Sequence, residues 1–246
     1  MKLLIDLGNS RLKWAWSDAD LWQSGAIEIN RKPAATLMAS VGEPHGAPRK
    51  VGVVSVAPPQ LLDGVRQFIE DKWGVTPVMV ESVTGQAGVF NGYQDPEQLG
   101  NDRWAALVAA RAETSSPVCV ISCGTAITID AMNSQGRFIG GSIFPGLELL
   151  RQSLGRGTAG IDTTHGSDNS CQATSTADAV MGGTLFGLAG AINKVVAEHH
   201  RILGDHCVNI LTGGSGEIVA PLLEFPVQPI PDLVLRGVKR IIEAQP

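Results

Sequence analysis

Two short turns in the chain carry residue types suited to binding phosphate. The first is Asp6-Leu7-Gly8-Asn9-Ser10, and the second, near the middle of the chain, is Ser122-Cys123-Gly124-Thr125-Ala126. Each turn lies between two strand-like runs and therefore predicts a β-hairpin. Glycine at the third position permits a tight turn that exposes backbone N–H groups, and the neighbouring hydroxyl and amide side chains add donors. Two such hairpins facing each other would hold a chain of phosphates.

The elements around these turns predict an α/β protein. The chain has 246 residues, and a turn duplicated about half a chain apart favours two domains. In the first half we expect strands over 2–5, 11–16, 21–29, 50–56 and 76–80, and helices over 58–73 and 101–113. The polar segment 114–117 marks the boundary, so the predicted domains are 1–113 and 114–246.

The second half is predicted to repeat this order. A hairpin over 118–132 is followed by a strand over 137–143, a helix to about Leu154, a polar loop over 155–174 and a strand over 208–211. Between the last two, the capping box that begins at Ser175 opens a helix to about His199. Four glycines interrupt that helix, and each costs about 1 kcal/mol relative to Ala. We therefore expect close backbone packing to compensate at Gly182, Gly183, Gly187 and Gly190.

Charge and hydropathy narrow the possible partners. The net charge is −5, from 19 basic and 24 acidic residues, and it is spread without runs, which predicts no binding to nucleic acid or to an anionic membrane. The N-terminus lacks the apolar length of a signal peptide. No apolar run approaches the roughly 20 residues that span a bilayer. We therefore expect a cytoplasmic protein.

The cysteines and histidines offer a second possible chemistry. Cysteines stand at positions 119, 123, 171 and 207, match no zinc-binding spacing and are interpreted as reduced core residues. Three histidines near the last cysteine leave a metal site open as an alternative. We favour surface positions for His199, His200 and His206, because they fall at a helix end and in a turn.

Five motifs, taken in order, give a specific resemblance. They are Asp6 to Lys13 (Asp-x-Gly-Asn-Ser-x-x-Lys), Tyr93 followed by 99–103 (Leu-Gly-Asn-Asp-Arg), 124–126 (Gly-Thr-Ala), 140–146 (Gly-Gly-x-Ile-x-Pro-Gly) and 212–214 (Thr-Gly-Gly). Their order and spacing, over residues 6 to about 216, are similar to type III pantothenate kinase. The resemblance implies a two-domain actin-like fold of the ASKHA superfamily (ribonuclease H-like) with duplicated phosphate-binding hairpins. It also implies a homodimer that uses ATP with Mg²⁺ to convert pantothenate to 4′-phosphopantothenate, the first step toward coenzyme A.

The same resemblance assigns the nucleotide-binding residues. It places ATP against the first turn and its flanks, the second turn, and the glycines after the last strand: Asp6, Leu7, Gly8, Asn9, Ser10, Arg11, Leu12, Lys13, Gly124, Thr125, Gly213 and Gly214. The Asp6 carboxylate could hold a Mg²⁺ that keeps most of its waters, or could instead hydrogen-bond its own turn. Lys13 could reach a phosphate, or be a solvated lysine on an edge strand.

The acceptor site is assigned in the same way. The resemblance makes Asp102 the catalytic base and places pantothenate against Tyr93, Gly100, Asn101, Asp102, Arg103, Ile143 and Thr176, the last from the partner subunit. Arg103 offers a planar fork suited to the pantothenate carboxylate. The alternatives are an ordinary helix N-terminal charge for Asp102, a loop anchor for Tyr93 and a helix cap for Thr176.

One departure from the family pattern bears on cation binding. The second turn of the family usually begins with Asp, which binds a monovalent cation, whereas this chain has Ser122. A hydroxyl replaces a full charge, so the expected K⁺ or NH₄⁺ site is in doubt here. Two other functions stay open: another small-molecule kinase of the same superfamily, or a non-catalytic nucleotide-binding regulator.

Overall fold

The computed structural model describes residues 1–44, 46–161, 166, 169–204 and 206–245. The chain divides into two compact units. The first consists of Met1–Ser115, Gly136–Phe138 and Asp232–Pro246, and the second of Ser116–Gln135 and Ile139–Pro231. The first unit thus includes three segments, 114–115, 136–138 and 232–246, that a boundary after residue 113 assigns to the second half.

The sheet of the first unit has five strands. Its elements in chain order are β1 (Lys2–Leu7), β2 (Arg11–Ser17), β3 (Trp22–Glu28), α1 (Ala34–Ala39), β4 (Lys50–Ser55), α2 (Pro59–Trp73) and β5 (Val78–Val80). The strand order is β3-β2-β1-β4-β5. β2 is antiparallel to β1 and β3, whereas β4 is parallel to β1 and β5. The predicted strands are present, and α2 ends as expected at Gly74, which adopts a left-handed φ of 64°.

After β5, the first unit continues to the helix that begins within the Leu-Gly-Asn-Asp-Arg motif (99–103), called the acceptor motif below. Two short strands, β6 (Gly85–Gln86) and β7 (Val89–Phe90), form a separate antiparallel pair. The helix α3 (Asn101–Glu113) follows with the predicted bounds. Its residues from Arg103 to Ala110 are all buried, as its high alanine content allows.

The second unit repeats the sheet order of the first. Its elements are β8 (Val118–Cys123), β9 (Ala126–Met132), β10 (Phe138–Pro145), α4 (Leu147–Gly157), α5 (Thr176–Leu203), β11 (Val208–Thr212), α6 (Gly216–Val219) and β12 (Gln228–Pro229). The order is β10-β9-β8-β11-β12, with an antiparallel β8–β9 hairpin and β11 parallel to β8 and β12. Each sheet therefore joins a hairpin to parallel strands. Of the polar loop predicted over 155–174, residues 162–165, 167 and 168 lie outside the described residues.

The helix α5 begins at the predicted cap. Ser175 Oγ accepts the backbone N–H of Asp178 at 3.2 Å and donates to Asp178 Oδ2 at 2.7 Å. Its buried face, which includes Leu188, Ile192 and Val196, packs with β8 and β9 residues in the core of the second unit. By length and composition α5 could also cross a membrane, so the sequence expectation of no sufficiently long apolar run was wrong. Its packing within the unit is that of a core helix.

The α5 glycines differ from one another in their packing. A Cβ at Gly182 would overlap the backbone of Ser170, so close packing does compensate there. Among the described residues nothing lies within 4 Å of a Cβ built at Gly183, Gly187 or Gly190. Within the described part of the chain, close packing therefore compensates at Gly182, and for the other three glycines close packing stays a prediction.

The C-terminal helix α7 (Leu233–Glu243) completes the first unit. It packs against α3, β1 and β4, where Gly52 leaves room for Val238 and Ile242. The opposite face of the sheet is covered by α1 and α2, whose Leu37 and Val65 join the core with strand residues. The sheet that carries Asp6 is thus held between helices on both faces.

Candidate active site

Asp6 is held in the first unit by its strand partner. The antiparallel register places Lys13 directly opposite Asp6, and Lys13 Nζ lies 3.5 Å from Asp6 Oδ2. The Asp6 side chain is 9% exposed and that of Lys13 is 36% exposed. Lys13 is therefore an ion-pair partner of Asp6. Because β2 lies between β1 and β3, the alternative of a lysine on an edge strand was wrong.

Burial dominates the ionisation of Asp6. Desolvation raises the pKa of its carboxyl from 3.8 to about 6, with Lys13 opposing this shift and the Asp102 carboxylate adding to it. The effect of Asp102 indicates that both acids lie in one electrostatic neighbourhood of the first unit. At neutral pH Asp6 is mostly ionised and has the oxygen ligands that Mg²⁺ prefers.

The first turn is tight for a different reason than the sequence predicted. Gly8 is absent from the positive-φ glycines, but its N–H donates to Arg11 O at 3.0 Å. A Cβ at Gly8 would lie 3.1 Å from the same oxygen. The Gly8 amide is thus used inside the turn, and the exposed residues that follow it, Asn9 and Ser10, are left to offer donors to an anion.

Three other residues assigned to the first turn differ in exposure. Leu7 and Leu12 are fully buried in the core, so only their backbone atoms could contact a nucleotide. Arg11 is exposed, and its ion pair with Glu28 spans 3.9 Å. Such a solvated pair contributes little to stability, and Arg11 can therefore turn toward a ligand at small cost.

The first turn of α3 presents the acceptor motif. Asp102 Oδ1 accepts the backbone N–H of Arg103 at 2.8 Å. The carboxylate therefore satisfies one donor at the helix N-terminus, which is consistent with the alternative of an ordinary helix N-terminal charge. A Cβ at Gly100 would lie 2.8 Å from the same oxygen. Asn101 accepts the Ser82 N–H at 2.9 Å and donates to Ser55 O at 3.4 Å. Its amide therefore anchors the start of α3 to the ends of β4 and β5.

Arg103 lies in an aromatic setting. It is only 6% exposed, its Nη1 donates to the Tyr93 hydroxyl at 3.0 Å, and its guanidinium carbon lies 5.8 Å from the ring centres of both Tyr93 and Phe138. These two rings are themselves 5.6 Å apart. The guanidinium is thus oriented before any ligand binds. Phe138 was missed, and its position in the sequence gives no signal of this role.

Tyr93 is fixed by the loop around it. The buried Asn91 accepts the Tyr93 N–H at 2.9 Å and donates to Ser82 Oγ at 3.0 Å and to Pro96 O at 3.1 Å. Sequence reasoning also missed Asn91, although a polar residue in a Gly-rich loop is a common turn signal. Tyr93 is therefore both anchored and in contact with Arg103.

The second unit brings its own predicted residues together. The parallel register places Thr212 opposite Ser122, and Ser215 donates to Cys123 O at 3.1 Å. Gly213 adopts a φ of 93°, and a Cβ there would overlap the backbone of Cys123. The turn that contains Gly124 and Thr125 thus packs directly on the Thr212–Gly214 segment, and Gly213 is needed for both its conformation and its close approach.

Two further predicted substrate residues lie in the second unit. Ile143 is 62% exposed on β10, so its side chain is accessible to a ligand. Thr176 is the exposed first residue of α5. Because Ser175 is the cap, the alternative that Thr176 caps the helix was wrong.

The fold resembles that of solved proteins. The chain superimposes on a polyphosphate/ATP-glucomannokinase from Arthrobacter sp. strain KM with a TM-score of 0.52 and 15% identity, covering 99% of this chain and 98% of the other. A Baf family transcriptional activator from Campylobacter jejuni gives a TM-score of 0.60 and 21% identity over 98% and 97% of the two chains. The predicted two-domain actin-like α/β fold is confirmed.

Sequence relatives define the family. The profile of "Type III pantothenate kinase" matches residues 2–198. A type III pantothenate kinase of Nitrosococcus oceani is 33% identical over 251 residues, covering 98% of this chain and 93% of the relative. That of Halorhodospira halophila is 36% identical over 243 residues, covering 96% of each. The chain belongs to the type III pantothenate kinase family, as the five motifs indicated.

Proposed function

We propose that this chain transfers the γ-phosphoryl group of ATP to the primary hydroxyl of pantothenate, in the cytoplasm, as the first step of coenzyme A biosynthesis. The oriented Arg103, next to Asp102 on the first turn of α3, is the observation that carries this proposal. Phosphoryl transfer needs a positioned acceptor and charge neutralisation more than covalent chemistry from the protein. The Asp102 carboxylate supplies a base for the substrate hydroxyl. The oriented Arg103 guanidinium beside it supplies a partner for the substrate carboxylate.

The roles follow from the contacts. Arg103 pairs with the pantothenate carboxylate, with Tyr93, Gly100 and Asn101 shaping the pocket. Asp102 takes the proton of the hydroxyl on Oδ2, because Oδ1 is used by the Arg103 N–H. The hydroxyl oxygen forms a bond to the γ-phosphorus as the bond to the bridging oxygen of ADP breaks.

Nucleotide binding is assigned to both turns. In the first unit, Asn9, Ser10 and Lys13 are assigned to the phosphates of ATP. In the second unit, Thr125 is assigned to the phosphates, and Gly213 and Gly214 are assigned to the adenosine. Asp6 fits Mg²⁺ by its chemistry, since it is a mostly ionised carboxylate at the end of β1. A bound Mg²⁺ would neutralise charge that develops on the phosphates.

The direct test is the coupling of ATP use to substrate. Purified protein should consume ATP only when pantothenate is present and should form 4′-phosphopantothenate in equal amount. Phosphorylation of a different acceptor with pantothenate inert would favour another kinase of the superfamily. Nucleotide binding without turnover would favour a regulator.

We expect Arg103→Lys to raise the KM for pantothenate by about 10- to 100-fold, since a point charge replaces a bidentate, charge-assisted contact. The KM for ATP should change much less. Steady-state kinetics with each substrate varied in turn measures both constants. Pantothenol, which lacks the carboxylate, serves as the control and should be a poor substrate that is insensitive to the substitution. An equal rise in both KM values would contradict this assignment and indicate that Arg103 contacts the nucleotide.

The raised pKa of Asp6 predicts a pH dependence of nucleotide binding. Protonation below about pH 6 removes the charge that would hold Mg²⁺, so Mg-ATP affinity should fall between pH 7 and 5. In the ligand-free protein, the effect of Asp6 ionisation on folding stability has the opposite dependence on pH. Because the folded state disfavours ionised Asp6, its contribution to stability is present below pH 4 and is lost as pH rises through about 6. Calorimetric titration of Mg-ATP against wild type and Asp6→Asn separates this group from others, since the variant should lose the dependence.

The cation site is proposed to be weak in this protein. Ser122 is a half-exposed hydroxyl on β8, and the nearby acid on the paired strand, Asp130, is buried and lies opposite Val120 rather than Ser122. The residues at the turn therefore do not offer the charged ligand that the family uses.

We accordingly expect activity to depend weakly on K⁺ or NH₄⁺, or to need high concentrations of them. Ser122→Asp should strengthen activation without changing the KM for pantothenate, because it restores a charged oxygen ligand. Titration of KCl at constant ionic strength measures the effect. Sharp activation of the wild type that saturates in the low millimolar range would contradict the proposal.

We also propose a homodimer in which Thr176 completes the pantothenate site of the partner. An open apolar cavity of about 540 Å³ between α4 and α5 is lined in part by Thr176, Gly183 and Gly187. Glycines with open space above them on an apolar helix suit close approach by a second α5. Sedimentation at micromolar concentration should show twice 25.9 kDa, and Gly187→Trp should shift the protein toward monomer. A fully active monomer would contradict the shared site.

A further inference from the structure

A second group of reactive side chains lies in the second unit, away from the residues assigned to ATP and pantothenate. One potential ligand atom from each of Cys119, His200 and Cys207 lies within 4.8 Å of the others. The two Sγ atoms are 3.6 Å apart. Cys119 is buried, and His200 and Cys207 are half-buried, so the group is shielded but can be reached from solvent.

The fold, rather than sequence spacing, creates this group. Cys119 lies opposite Asn209 in the parallel β8–β11 pair. Cys207 precedes Asn209 by two residues and therefore extends toward the same face of the sheet. The last turn of α5 crosses that face and supplies His200. Because the three residues come from three separate segments, no zinc-like spacing is visible in the sequence.

His200 is oriented by a neighbouring amide. Asn209 Nδ2 donates to Pro226 O at 3.1 Å, so Asn209 Oδ1 faces His200 Nε2, at 2.8 Å. Nε2 must then carry the proton, which leaves Nδ1 as the nitrogen with a lone pair. The His200 ring also packs edge-on against Phe225, with ring centres 6.1 Å apart. An imidazole fixed through its other nitrogen is the arrangement found around metal-binding histidines.

We propose that Cys119, Cys207 and His200 Nδ1 bind one Zn²⁺, with water as the fourth ligand. Two thiolates at about 2.3 Å from a tetrahedral zinc ion lie about 3.8 Å apart, close to the observed sulfur separation. A disulfide would need the sulfurs at about 2.05 Å. Both thiols lose their protons on binding, and the ion would join β8, α5 and the start of β11.

This site corrects two expectations from the sequence. The cysteines were interpreted as core residues, which fits Cys119 and Cys123, but Cys171 is exposed and Cys207 is half-buried. The histidines were placed on the surface, which fits the exposed His206. His199 and His200 are half-buried, and His199 Nε2 is buried without a hydrogen-bond partner among the described residues. The metal alternative left open for this region is the one we now favour, with Cys119 as the ligand that the sequence could not supply.

The test uses Co²⁺ as a spectroscopic substitute for Zn²⁺. Full-length protein, treated with chelator and kept reduced and free of oxygen, is titrated with Co²⁺. We expect one ion per chain, visible-range bands typical of tetrahedral cobalt and a thiolate charge-transfer band in the near ultraviolet. Zn²⁺ should displace the Co²⁺ and abolish the spectrum, and it should raise the Tm of the protein, a change that chelator reverses.

Matched variants assign the ligands. Cys207→Ser and His200→Ala should each weaken binding by more than about 100-fold, and Asn209→Ala by about 10- to 100-fold, as for loss of an outer hydrogen-bond partner. Cys171→Ser removes an exposed thiol outside the group and should leave the spectrum unchanged. Circular dichroism of each variant checks its fold, and the wild-type spectrum tests the proposal without any variant.

Three results would overturn the site. They are the lack of a saturable thiolate band in the wild type, retention of that band in Cys207→Ser, and a Cys119–Cys207 disulfide that persists in the purified protein under the reducing conditions and prevents metal uptake. Kinase activity does not enter the test, so a failure of this proposal is distinct from a failure of the proposed function.

Discussion

Asp102→Asn is expected to lower kcat by about two to four orders of magnitude, the range credited to a positioned general base. Asparagine keeps an oxygen that can accept the Arg103 N–H, which Asp102 Oδ1 accepts at 2.8 Å. The substitution therefore preserves the helix start and removes only the charge and the basicity. If Asp102 had only a structural role, Asp102→Asn would lower the free energy of unfolding by about 0.3–1 kcal/mol through the helix dipole. The activity would then change little.

Single-turnover and steady-state rates with saturating ATP and pantothenate measure this effect. Asp63→Asn, which changes an exposed acid of α2 in the same unit, is the matched control and should retain full activity. Thermal unfolding of both variants should stay close to that of the wild type. If Asp102→Asn kept more than about half of the wild-type kcat, Asp102 would be an ordinary helix N-terminal charge and another residue would have to be the base.

Gly237→Ala is expected to destabilise the first unit strongly. A Cβ at this position of α7 would overlap the backbone of Ala105 in α3, and both residues are buried. Overpacking of this kind typically costs about 1–3 kcal/mol, and more where backbone must move. That cost exceeds the gain of about 1 kcal/mol that Ala offers over Gly in an isolated helix.

Denaturant or thermal unfolding measures the change, at about 2–4 °C of Tm per kcal/mol for a protein of this size. Arg240→Ala, at an exposed position of the same helix, is the control and should stay within about 0.5 kcal/mol. Because α3 carries Asp102 and Arg103 at its start, Gly237→Ala should also reduce activity below the unfolding temperature. An unchanged Tm would mean that α3 and α7 are not packed this closely.

Much of the architecture could be predicted from local patterns. The buried β-branched runs of β4 and β8, the proline start and Gly74 end of α2, and the Ser175 cap of α5 each fix an element through interactions within a few residues. The two glycine-containing turns sit between paired strands and so identified the hairpins. The family motifs depend on the same kind of short segment, which is why residues 6 to 216 sufficed to indicate the family.

Other features depend on contacts between distant segments. The helix α7 was missed, although Leu235, Val238 and Ile242 repeat at helical spacing, and its assignment to the first unit arises only from packing on α3 and the sheet. The partners of Arg103 show the same dependence, since Tyr93 precedes it by ten residues and Phe138 follows it by 35.

The sequence by itself determined the hairpins, the main helices and the identity of the acid and arginine at the start of α3, because short-range sterics and hydrogen bonds specify them. Only the tertiary structure decided that Lys13 pairs with a buried Asp6, that Asn101 serves as an anchor, and that two cysteines and a histidine meet on one sheet face. Burial and desolvation act through neighbours that are far away in the chain, and no local pattern records which neighbours those will be.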